Sequence, residues 1–188
     1  MGQSILDANE AILGGFYYWG PNAKNTPFRY GAMVVIPRSS TTAKPCVTQI
    51  ASEELGGLNP QASIAVRKST DNGDGSWGPW EWVNPPMELG VEYRTTERYL
   101  GKPVYVKMVD FGALPNASYK FVGIENGASI IRVSALASNG KTLPGSIGAS
   151  QREQVLCMGS SNSVEIITYA DASSLTATVT AWYTKTAD

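Results

Sequence analysis

The chain has 188 residues, of which 43 % are hydrophobic and 16 % charged, with 19 glycines and 11 prolines; this is enough for one large or two small turn-rich β domains with a real core, and it excludes a disordered or coiled-coil chain. Fifteen Lys and Arg against sixteen Asp and Glu leave a net charge of −1 with no long run of either sign, which excludes the concentrated cationic stripe that nucleic acid demands. There is no histidine, so Ser-His-Asp and Cys-His catalysis, H-E-x-x-H zinc sites and imidazole acid–base chemistry are excluded together.

No stretch approaches the ~18 apolar residues of a membrane-spanning helix, so no membrane insertion is expected. The first lysine is Lys24 and no apolar h-region leads the chain, so no secretory signal is expected either. Cys46 and Cys157 stand in apolar surroundings and read as two buried free thiols, because a small secreted scaffold carries a denser cysteine framework. Folding in a reducing cytoplasm follows from that reading.

At the N-terminus, "SILDANEAIL" offers Ser4 and Asp7 as a weak capping box for a helix. Ile5 and Ile12, and Leu6 and Leu13, repeat once at heptad spacing, as at the end of a stalk. An extended lead-in fits residues 1–13 equally well. From Gly14 the period becomes two. Strands are expected at Phe16–Trp19, Ala32–Pro37, Cys46–Ser52, Ser63–Ser69 and Pro79–Val83, with "DNGDGS" (Asp71–Ser76) as the last hairpin turn.

"NPPMELG" cannot continue a central strand, since adjacent prolines offer no N–H, and it reads as a domain junction. Beyond it, strands are expected at Val91–Tyr99, Val104–Gly112, Ala128–Ser138, Glu153–Gly159, Ser163–Ala170 and Leu175–Lys185. The last one alternates cleanly. Leu175, Ala177, Val179, Ala181 and Tyr183 form a core face, and Thr176, Thr178, Thr180, Trp182 and Thr184 the other. That second face is either solvated or packed on a neighbouring subunit.

Two segments match known modules. "GGFYYWGP…VVIPR…VTQIA…SIAVRKSTDNGDGSWGPWEWV" resembles the pyocin-knob module of phage and tailocin tail fibres, with its aromatic first strand, T-Q strand, R-x-S/T hairpin and closing W-x-x-W. "YRTTERYLGKPVYVKMVDFGALPN" with the terminal "YTKT" is similar to the C-terminal module of phage tail- or head-fibre proteins. The stretch Tyr119–Ser150 matches neither. The resemblance implies an all-β protein of two small antiparallel sheet or sandwich modules in tandem, assembled as a homotrimer: a lead-in at 1–13, a knob-like module at 14–84 and a C-terminal module at 85–188.

In the knob-like module, Trp77 and Trp80 take the closing W-x-x-W positions, and Trp80 and Trp82 share one strand face. Trp77, Trp80 and Trp82 are therefore expected as a structural aromatic cluster; an exposed platform for a sugar is the alternative.

With histidine absent, paired carboxylates are the only catalytic parts left for a hydrolase. Asp71 with Asp74, Glu92 with Glu97, and Glu53 with Glu54 are the candidates, and the first two pairs read more simply as solvated turn or strand residues. "DNGDGS" carries calcium-type oxygens but lacks the length and the bidentate Glu of a calcium loop. Arg94, Glu97 and Arg98 read as a charged strand edge. No catalytic residue, metal site or cofactor is expected.

For sugar binding, an aromatic face and planar polar groups are required. Tyr119 and Arg152 bracket the unmatched middle, with Asn139 and Asn162 in its loops, and these four are the expected ligand residues. The function so implied is that of a phage or tailocin fibre tip. It would bind a bacterial surface polysaccharide without covalent chemistry, be joined to upstream fibre or virion proteins, and fold in the host cytoplasm before entering the virion. The alternatives are a capsid-decorating head fibre or spacer without a receptor and, further off, a polysaccharide depolymerase.

Overall fold

The computed structural model describes residues 2–37, 46–54, 63–70, 76–125, 127–148 and 154–186. The protein is nearly all β, and among the described residues its one helical element is a 3-10 turn at Ala8–Glu10. Two compact units divide the chain, Met1–Pro86 and Met87–Asp188.

The first unit is a single sheet of β1 (Gln3–Ser4), β2 (Gly15–Trp19), β3 (Gly31–Pro37), β4 (Val47–Glu53), β5 (Ile64–Lys68) and β6 (Glu81–Trp82), hydrogen-bonded in that order. β1 runs parallel to β2 and the other pairs are antiparallel. Alternation then sorts the side chains. Tyr17, Trp19, Met33, Val35, Val47, Ala51 and Ala65 are buried on one face. Close packing there leaves no room at Gly31, where a Cβ would stand 2.5 Å from Trp19 Cζ2 and 2.7 Å from the Ser52 carbonyl oxygen.

Residues 2–13 pack with this unit, and their only helical residues are those of the short 3-10 turn. Asp7, not Ser4, is the cap: its carboxylate accepts from the Asn9 amide at 2.8 Å, and the turn ends after Glu10. Ala8 and Ala11 are buried and Ile5 and Ile12 pack on the core, while Leu6 and Leu13 face solvent. The heptad spacing thus separates an inner from an outer set within one irregular segment. Pro79–Val83 is also shorter than expected, since only Glu81 and Trp82 join the ladder. Asp71–Gly75 lie outside the described residues; on either side of them Thr70 donates to the Ser76 carbonyl at 2.9 Å and Ser69 bridges Trp77.

The second unit is a sandwich of two antiparallel sheets. One contains β7 (Glu92–Tyr99), β8 (Lys102–Ala113), β15 (Thr176–Lys185), β10 (Gly127–Ala137) and β11 (Thr142–Leu143), in that order. The other contains β12 (Gly145–Ser146), β13 (Gln154–Gly159), β14 (Ser163–Thr168) and β9 (Tyr119–Gly123). Phe111, Ala177, Val179, Ala181 and Tyr183 of the first sheet meet Val155, Cys157, Val164 and Ile166 of the second in one core. The threonine face of β15 is half-buried at Thr178 and Thr180, and Thr184 is fully buried.

β8 bends at Gly112, whose φ of 70° is open to glycine at little cost. Its amide is held by the Asp110 carboxylate at 2.8 Å, beside the register shift between Ala177 and Thr178. Neither cysteine is in a disulfide, and only Cys157 is buried; Cys46, just before β4, is half-buried. Burial pushes the Cys157 thiol up to about 11.

Candidate functional site

Two aromatic groups stand out, and their surroundings differ. In the first unit the tryptophans pack inward around Arg67. The guanidinium carbon lies 4.3 Å from the Trp77 ring centroid and 4.4 Å from that of Trp80, a sandwich of one cation between two indoles. Trp82 sets its ring at 90° to Phe28, with centroids 5.2 Å apart. Trp80 donates through Nε1 to the Asn25 carbonyl at 2.9 Å, and Asn25 in turn donates its amide to Asp7 at 2.8 and 3.1 Å. Burial lowers the pKa of Arg67 to about 10, with Asp7 acting in the opposite direction. The faces of Trp77 and Trp80 nearest Arg67 are therefore occupied by the protein itself.

In the second unit the four-stranded sheet has an outer face built from β9, β14 and β13. Register defines it: Phe121 opposes Glu165 and Glu165 opposes Met158, while Tyr119 opposes Ile167 and Ile167 opposes Leu156. Tyr119 is 64 % exposed and Phe121 51 %, and their rings meet edge to face at 5.5 Å and 71°. Both lie on β9, the last strand of its sheet. Lys120, between them, turns the other way and donates to the Phe111 and Ala113 carbonyls at 2.8 and 3.2 Å. That anchor holds β9 with its aromatics outward.

Among the described members of the expected ligand set, Tyr119 is on this face, and it sits on a strand that was not among those expected. Asn162 lies in the β13–β14 turn, where its carbonyl accepts from Ile124 at 2.7 Å. It sits at the far end of β9, about 13 Å from Tyr119 at strand rise. Asn139 is in the turn after β10, and its side chain is committed to that loop, donating to Ile147 at 3.2 Å and accepting from Lys141 at 3.2 Å. Arg152 lies outside the described residues. Asn139 and Asn162 belong to different turns. Phe121 and Glu165 are the members that sequence reasoning missed.

Of the candidate carboxylates, Glu92 and Glu97 have ordinary partners. Glu92 accepts from the Tyr183 hydroxyl and from the Lys185 ammonium, and burial, followed by that bond, drives the Tyr183 pKa upward. This side of β7 is thus tied to β15 and is not a free charged edge; on the same strand Arg94 donates to the Tyr105 hydroxyl at 3.1 Å. Glu97 faces Arg132 at 3.5 Å. Asp71 and Asp74 lie outside the described residues. Among the described residues, no three His, Cys, Asp or Glu side chains gather as a metal site, and no helix is long and apolar enough to cross a membrane.

No family model matches the chain, and no curated protein matches it. Among solved structures it is similar to an N-truncated R2-type pyocin tail fibre, at TM-score 0.32 and 11 % identity over 97 % of both chains. It is also similar to a C-terminal portion of the R2 pyocin fibre of P. aeruginosa, at TM-score 0.32 and 10 % identity. A C-terminal portion of the R1 pyocin fibre of P. aeruginosa aligns at TM-score 0.30 and 10 % identity. For these two the alignment covers 97 % of this chain and 66 % of the other.

Proposed function

We propose that the chain is a distal module of a phage or tailocin fibre that holds a bacterial surface glycan on the outer face of its four-stranded sheet, without covalent chemistry. The observation that carries this reading is the outward pair Tyr119 and Phe121 beside Glu165. Exposed rings offer flat apolar surface to the C–H face of a pyranose, while the Tyr119 hydroxyl and the Glu165 carboxylate offer polar partners for its hydroxyls. The strand residues of this face carry one carboxylate, Glu165, whereas glycoside hydrolysis uses two, about 5 to 9.5 Å apart. The motifs of "VTQIA…RKST…WGPW" and "GKPVYVKMVDFGALPN" support the fibre role, and with it a place in the virion, attachment to upstream fibre proteins and assembly as a homotrimer. Three linked copies of a weak site would gain avidity without new contacts.

The test is binding of the labelled, purified protein to a panel of bacterial cells, with and without competing surface polysaccharide. Selective, competable binding that is lost in Tyr119→Ala and Phe121→Ala supports the reading. Absence of binding across a broad panel from folded protein would turn the assignment to a spacer or decoration module. Release of new reducing ends from a bound polysaccharide would turn it to a depolymerase.

A further inference from the structure

On the outer face of the four-stranded sheet, the strands present one charged side chain, and it stands at the centre. Glu165 lies on β14, the strand between β9 and β13. Across the register its neighbours are Phe121 on one side and Met158 on the other, and the next row along is Tyr119, Ile167 and Leu156. Two aromatic rings, a thioether and two aliphatic side chains therefore surround a carboxylate.

The chain leaves that charge uncompensated. Among the described residues Glu165 makes no ion pair. Lys120 is the one cation on these four strands, and its ammonium is directed the other way, onto the Phe111 and Ala113 carbonyls. The rings of Tyr119 and Phe121 stand at 71° with centroids 5.5 Å apart, two walls on the same face as the carboxylate. Aromatic faces attract a cation through their negative quadrupole, and more strongly once water is displaced. Rings and carboxylate thus favour the same sign of charge.

We propose that the glycan held on this face is cationic, an amino sugar whose unacetylated ring amine sits against Glu165 and the two rings. The inference rests on the glycan-binding reading above and adds the class of sugar to it. A neutral ring would strip water from Glu165 and return only hydroxyl hydrogen bonds, whereas an ammonium offsets that loss with a charge-assisted bond. A uronic acid or a phosphorylated sugar would bring like charges together, and with Lys120 committed elsewhere no cation of these strands answers it. Glu165 is in this way the specificity-determining residue, rejecting anionic chains as well as selecting cationic ones.

Isothermal titration calorimetry of the full chain tests this, with oligomers of glucosamine, N-acetylglucosamine and galacturonic acid of equal length, in mildly acidic buffer where the amine is protonated. The glucosamine oligomer is expected to bind at least about tenfold more tightly than the acetylated one, and the galacturonate oligomer more weakly than either. Added salt should shrink the difference. Glu165→Gln keeps the shape of a half-buried side chain, so far-UV circular dichroism should be unchanged while the glucosamine and N-acetylglucosamine affinities converge. Equal affinity of the wild-type protein for those two oligomers, or a preference that survives in Glu165→Gln, overturns the proposal; so does a protein that binds cells selectively but prefers the galacturonate oligomer or takes none of the three. In each of those cases competable cell binding keeps the glycan reading intact. A folded protein that binds neither cells nor oligomers overturns both.

Discussion

Arg67 donates through Nε to the side-chain oxygen of Gln49 at 2.8 Å, and both residues are almost fully buried. Gln49 uses its amide nitrogen at the same time, donating to the Ala8 carbonyl at 2.7 Å and the Ala11 carbonyl at 2.9 Å. One side chain thereby joins the N-terminal turn to the cation that the tryptophans enclose. Replacing Gln49 with Leu keeps similar volume but strands two carbonyls and one guanidinium N–H. Each such loss costs about 1–3 kcal/mol, so a net destabilisation of about 3 kcal/mol is expected. Urea denaturation of Gln49→Leu followed by tryptophan fluorescence checks it; a change below about 1 kcal/mol would show that these bonds contribute little.

Gly31 has no space for a methyl group against Trp19 and the Ser52 carbonyl. Because one of those neighbours is backbone, relief requires strand β3 or β4 to shift. Gly31→Ala is therefore expected to cost about 1–3 kcal/mol through overpacking. The thermal midpoint of the first unit is the measurement, and an unchanged midpoint would mean that the strands move apart at no cost.

Cys157 has its pKa raised by burial to about 11 from an ordinary value of 9.0. Between those values the unfolded chain ionises while the folded one does not, so the unfolded state binds fewer protons and stability falls as pH rises. The contribution is fully present below pH 9. Between pH 9 and 10, before the raised tyrosines begin to matter, Cys157→Val should reduce the decline in stability. A thiol reagent should correspondingly modify Cys46 before Cys157 at pH 8.

Tyr119 stands mostly in solvent and anchors no described core residue, so Tyr119→Ala should change stability by no more than about 0.5 kcal/mol. Its effect on glycan binding is expected to be at least about tenfold in Kd, or 1.4 kcal/mol. Measuring both on the same preparation separates a binding role from a folding one. Equal losses in stability and binding would count against Tyr119 as a contact residue.

The strands whose polarity alternates plainly, such as β14 and β15, are legible in the sequence because one face of each meets a core. β9 is not legible, because its pattern is inverted: Tyr119 and Phe121 point outward while Lys120 points inward and reaches backbone carbonyls. The candidate face is legible only in part for a related reason. Tyr119 can be singled out by residue type, but Glu165 is set opposite Phe121 only through the register of β14 against β9. Likewise, nothing local in "VTQIA" marks Gln49 as the buried link between segments distant in sequence. The tryptophans could be recognised as a cluster from spacing alone, whereas the cation between them could not.

The sandwich around Arg67 also sets an order in time. A ribosome releases β2 to β5 before it releases Trp77 and Trp80, so Arg67 is made before the two rings that stack on it. The last segment made is the one that closes the core, and the first unit should become protease-resistant in one late step as the chain emerges. Ribosome-stalled chains report this directly: release to solvent as far as Ser76 should leave the unit readily digested, and release as far as Pro86 should protect it. Gradual protection across intermediate lengths would show that the sheet is stable before its tryptophans arrive.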